Sequence, residues 1–175
     1  MIVDTAYDAI ALKTKDCVLY DWDEDKDTDT ICPGPLYDYD NSDDYEDFDE
    51  ANEFKVKITA TETYAWGYYV TDLVCLVKDE SDSENDELCV QNYKWADVRH
   101  QTGLPQATTG VFGMPTISNP ITKQFISELA GTQILEKNIF AIGFKSMLEQ
   151  SFIDIGEIDE DKMSDKDDIV YFPLI

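Results

Sequence analysis

The chain has 175 residues and a formal charge of −25, yet 43% of its residues are hydrophobic and 12% aromatic. A chain of this length folds as one domain that buries most of its apolar surface. The charge repels polyanions and no basic stripe offsets it, which excludes a nucleic-acid partner. No apolar run reaches the ~18 residues of a membrane-spanning helix.

The charge is segregated. Segments 21–50, 79–87 and 157–168 hold 27 of the 38 acidic and 3 of the 13 basic residues, a net −24 against −1 for everything else. A nearly neutral body carrying three acidic insertions is therefore expected, the insertions as solvated loops, since such segments cannot recover ordering entropy by burial.

In chain order, Ile2–Leu12 alternates weakly and predicts strand. Asp21 to Asp29 alternates carboxylates like a calcium loop, but Lys26 stands at the turn position that needs glycine and Cys32 where a bidentate glutamate belongs, so no metal is expected there. The stretch FKVKITATETYAWGYYVTDLVCLVK predicts two strands, with Phe54, Val56 and Ile58 on one face and a broad aromatic tip near Ala60–Gly67. LCVQNYKWADVR predicts a further strand. A helix is predicted with Asn119 as N-cap, Pro120 in the first turn, Ile121, Phe125 and Leu129 on one face, and Gly131 at the C-terminal cap. NIFAIGF and SFIDIGEID read as strands, followed by a short IVYFPLI. The sum is seven to nine strands and one or two short helices: a mostly β, barrel-like fold.

Four cysteines stand at 17, 32, 75 and 89. Cys17 and Cys32 bracket an acidic segment, and Cys75 and Cys89 occupy mirrored places in two strands. Two local disulfides in an oxidising compartment are one reading, and four reduced thiols the other. With a single histidine and no C-x-x-C spacing, zinc is not expected. His100 precedes a loop and has no nucleophile pattern beside it. The eight glycines form no phosphate-binding loop, so no cofactor is expected. The first residues lack a basic segment followed by a long apolar one, so no signal peptide is read.

Seven motifs occur in an order that resembles the N-terminal lobe of pepsin-like aspartic peptidases, the A1 family. MIVDTAYDAIALKTKDC is similar to the first active-site segment, and YDNSDDYEDFDE to the loop after it. ITATETYAWGYYVTDLV resembles the flap hairpin and keeps Ile58, Gly67, Asp72 and Val74. TTGVFGM resembles the glycine motif through Gly110 and Gly113. QFISELAGTQILEKNIFAIGF, DIGEIDED and YFPLI resemble the helix, turn and strands that follow.

The resemblance spans residues 1–175 and implies a single β-rich lobe in which the aspartate loop crosses behind the glycine motif. It implies peptide-bond hydrolysis, Asp4 as a catalytic carboxylate braced by Thr5, and a peptide or protein substrate under a flap bearing Tyr64 and Trp66. It also implies a secretory or lysosomal setting. Aspartic proteolysis needs two carboxylates sharing one proton. No second Asp-Thr-Gly is present, so the isolated chain is expected to be inactive without a second lobe or second copy. Departures from the pattern are Ala6 for glycine, Tyr7 and Asp8 for two serines, Ala11 for tryptophan, Ala60 for the flap tyrosine, Thr61 and Thr63 for flap glycines, and Thr109 for an aspartate. These departures raise the alternative of a non-catalytic module that binds peptides or proteins.

Overall fold

The computed structural model describes residues 1–4, 7, 9–47, 52–58, 62–76, 88–104, 106–115, 121–135, 137–144 and 151–158. They form nine strands: β1 (Ile2–Asp4), β2 (Ile10–Asp21), β3 (Lys26–Ile31), β4 (Glu53–Ile58), β5 (Thr63–Leu76), β6 (Leu88–Thr102), β7 (Gly110–Gly113), β8 (Phe140–Gly143) and β9 (Phe152–Ile155), with one helix, α1 (Phe125–Gly131). Seven strands make a curled sheet in the order β1-β7-β2-β6-β5-β4, with β3 added to β2. Strands β8 and β9 pair separately as an antiparallel hairpin.

The two-residue period of strands distributes the core. Ile10 and Trp95 enter one apolar cluster, while their neighbours Ala11 and Ala96 enter another on the opposite face. The first cluster receives α1 through Phe125, Ile126 and Leu129, none with measurable exposure. Leu129→Ala is therefore expected to destabilise the chain by about 2–5 kcal/mol, read as a lower urea midpoint.

Both cysteine pairs are disulfides, Cys17–Cys32 and Cys75–Cys89, closing sequence separations of 15 and 14 residues. Disulfides persist in oxidising compartments, which suits an extracellular or secretory protein. Reduction is expected to lower stability by about 2–4 kcal/mol per bridge, measured by urea unfolding with and without reductant.

Three sequence expectations are revised. Residues 63–67 of the expected broad tip lie within β5, because the β4–β5 pairing runs out to Ile58 opposite Thr63. Tyr64 and Trp66 lie inside β5, paired with β4 on one side and β6 on the other. Glu62, just before β5, adopts a left-handed conformation, φ 49°. The helix starts later than predicted. Gln124 precedes its first turn and Ile121 is half exposed, while Asn119 and Pro120 lie outside the described residues. Gly131 is the last helical residue, and Thr132 closes the helix by donating its hydroxyl to Leu129 O at 2.8 Å.

The first acidic segment is no bare loop. It contains β3, a 3-10 turn over Tyr39–Asn41, and bridges from Tyr37 and Glu46 to the sheet. Its tyrosines explain the order. Tyr37 and Tyr45 both pack edgewise or tilted against Trp95, and their hydroxyls donate to Asp72 and Asp97. Strand β2 loses its register with β6 between Lys13 and Val18, and there Tyr37 exchanges backbone hydrogen bonds with Lys13 and Lys15. Residues 79–87 and 159–168, the other acidic stretches, lie outside the described residues.

Candidate functional site

Strands β1 and β2 are consecutive in sequence but not neighbours in the sheet. Strand β7 lies between them, parallel to β1 and antiparallel to β2. Asp4 is the last residue of β1 and registers with Gly113. Its carbonyl accepts from the Met114 N–H at 2.8 Å, and the Gly113 N–H donates to Ala9 O at 3.0 Å. The Asp4 segment therefore bends around the end of β7 before β2 begins.

Glycine is required at this crossing. A Cβ on Gly113 would lie 2.4 Å from both Ala9 O and Tyr7 O, and one on Gly110 would lie 1.9 Å from Ala11 O. These approaches are set by backbone atoms, which cannot swing aside as side chains do. Asp4 itself is partly exposed at the end of the crossing. Thr5, its expected support, lies outside the described residues, as do Ala6 and Asp8.

The two aromatic contact residues stand elsewhere in the strand order. Tyr64 and Trp66 are on β5, separated from β1 by β7, β2 and β6. Tyr64 is buried and stacks on Tyr20, centroids 4.0 Å apart. Trp66 packs at 4.6 Å on His100 and at 5.2 Å on Tyr68. Burial pushes the Tyr64 phenol above its ordinary pKa, and the nearby Asp27 charge adds to this.

Three polar groups that sequence reasoning left unassigned are buried. Lys13 has no measurable exposure and donates from Nζ to Pro33 O at 2.7 Å. Burial lowers its pKa. Asp72 accepts from Tyr37 at 2.5 Å, Ser42 at 2.6 Å and the Leu73 N–H at 2.8 Å. Burial and the Asp72 bond push the Tyr37 phenol up to about 12. Asp97 accepts from Thr14 at 2.7 Å, Tyr45 at 2.9 Å, and both Nε and a terminal nitrogen of Arg99 at 2.7 Å. Both carboxylates tie the 37–46 segment to the sheet.

Burial raises the Asp97 pKa above its ordinary value, against the opposing pull of Thr14 and Arg99. Folding thus binds its proton more tightly. The contribution of this group is full below the unfolded value of 3.8 and is lost as pH rises through the folded value. Relative to Asp97→Asn, which cannot titrate, the native chain is expected to lose urea stability as pH climbs from below 3.8 through that window.

Among the described residues no three His, Cys, Asp or Glu side chains converge as a metal site. Three of the alternating acids, Asp21, Asp25 and Asp27, have protein partners. The Asp21 carboxylate accepts from the N–H groups of Asp23 and Glu24, Asp25 pairs with Lys57, and Asp27 lies 2.7 Å from His100. No helix of the described residues is long and apolar enough to cross a membrane. No family model matches the sequence, and no curated protein matches it.

Proposed function

We propose that this chain is a lobe of a pepsin-like aspartic endopeptidase, with Asp4 as one of two catalytic carboxylates. The observation that carries the reading is the insertion of β7 between β1 and β2, which bends the Asp4 segment around Gly113. Such a crossing puts an aspartate at the end of a strand, with its backbone held against β7. A pair of such carboxylates shares one proton. The ionised member draws a proton from water as that water attacks the scissile carbonyl, and the protonated member hydrogen-bonds the carbonyl oxygen. Residues 1–175 contain one Asp-Thr step with these surroundings, so the second carboxylate comes from another lobe or another copy, and the isolated chain is inactive. A peptide or protein is the substrate, with Tyr64 and Trp66 as contact residues, in a secretory or lysosomal setting suited to the two disulfides.

A second reading, a non-catalytic peptide- or protein-binding module, is favoured by Ala6, Tyr7 and Asp8 standing where the family has glycine and two serines. Cleavage of a mixed peptide library at acid pH by the longest native product of the gene separates the two. The peptidase reading expects cleavage, reduced at least ~10³-fold by Asp4→Asn, a loss of the size that follows removal of a catalytic group acting with others as a unit. No cleavage by a folded full-length product, with retained peptide binding, would establish the binding module instead.

A further inference from the structure

Strand β3 pairs with β2 alone among the described strands, so beyond Leu19 the β2–β3 hairpin is fastened to the sheet by side chains. Tyr20 of β2 lies flat on Tyr64 of β5, and each is less than a tenth exposed. Lys57 of β4 donates to Asp25 at 2.7 Å and to the Tyr20 hydroxyl at 3.4 Å, and its ammonium sits 5.0 Å from the centre of the Trp22 ring. The Tyr20 hydroxyl donates to the same Asp25 carboxylate. On the next strand, His100 faces Asp27 and packs at a tilt on Trp66. The hairpin thus lies over Tyr64, with Asp27 against the His100 that flanks Trp66.

The contact is releasable at its exposed ion pair. The Asp25 and Lys57 side chains are 72% and 41% exposed, so their attraction is screened by salt. Residues 21–31 carry six acids and one lysine, whose mutual repulsion opposes closure unless Lys55 and Lys57 offset it. At the other end, the Cys17–Cys32 disulfide ties the base of the hairpin together.

We propose that the β2–β3 hairpin is a cover over Tyr64, hinged where β2 leaves β6 beyond Leu19 and latched by Lys57 on Asp25 and Tyr20. It swings away as a unit while the remaining strands stay paired. A ligand using Tyr64 must displace this hairpin first. The inference stands on these contacts alone and survives if Asp4 proves non-catalytic.

Hydroxyl-radical footprinting of the intact, oxidised chain tests it, with side-chain labelling read by mass spectrometry. Lys57→Met is expected to raise labelling of Tyr20 and Tyr64 together by about fivefold, the upper end for loss of an exposed ion pair. Tyr93 and Trp95, buried in the other core, should not change. Raising the ionic strength to about 1 M, where the screening length falls to ~3 Å, should move the wild type the same way. Asp25→Asn, which breaks the latch without touching β4, should reproduce the result. Labelling that rises at Tyr20 alone, at neither tyrosine, or at Trp95 as well would overturn the proposal, since the hairpin would then fray, stay shut, or loosen only with the whole fold.

Discussion

Gly110→Ala and Gly113→Ala are each expected to destabilise the chain by about 4 kcal/mol or more, enough to unfold a domain of ordinary stability. The added Cβ would meet the Ala11 carbonyl oxygen at 1.9 Å in the first case, and the Ala9 and Tyr7 carbonyl oxygens at 2.4 Å in the second. Relief requires parting β7 from β2 or pushing the 7–9 segment outward. Either movement dissolves the crossing that fixes Asp4. Gly131 supplies the control, because a Cβ there meets nothing within 4 Å. Gly131→Ala should be neutral or stabilising by about 0.5–1 kcal/mol through the lower entropy of its unfolded state. Urea unfolding of the three variants checks the contrast. Near-equal midpoints for all three would remove the steric basis of the crossing.

Asp97→Ala is expected to cost about 3–5 kcal/mol, the range for breaking a buried ion pair on one side. The loss leaves Arg99 with its bonds to Asp16 at 2.8 Å and to the Tyr45 hydroxyl at 3.3 Å but no buried counter-charge, and removes the acceptor to which Thr14 and Tyr45 donate. Because Tyr45 reaches Asp97 from the 37–46 segment, that segment should loosen with it. Tyr45→Phe, which removes one donor and keeps the ring against Trp95, should cost only about 1 kcal/mol. Urea denaturation gives the two values. A loss for Asp97→Ala no larger than that for Tyr45→Phe would mean that the four-donor arrangement contributes little beyond one neutral hydrogen bond.

Much of the strand pattern is legible in the sequence because it depends on neighbours. The alternation around Phe54 and Val56 marks β4, and the spacing of Phe125 and Leu129 marks the buried side of α1. The cysteines bracket their loops closely enough that local pairing is the natural reading. What stays hidden depends on partners far away in the chain. Thr14 and Asp97 are 83 positions apart, and Tyr45 and Asp97 are 52 apart. A count of acids places residues 21–50 in solvent, whereas the tyrosines among those acids anchor the segment on buried carboxylates. Lys13 sits in a strand whose lysines look outward-facing, yet its ammonium is enclosed beneath the Pro33 carbonyl. Asp4 draws notice only through the order of the surrounding motifs, and nothing local distinguishes it from the other carboxylates.

The central claim is that Asp4 is half of a pair of carboxylates sharing a proton. The acid-side pH profile of peptide cleavage by the longest native product tests it most directly. A proton-sharing pair requires one ionised and one protonated member, so kcat/KM should trace a bell with both limbs in the acid range, and Asp4→Asn should abolish it. Cleavage that is unchanged by Asp4→Asn, or that is greatest at neutral pH, would contradict the account.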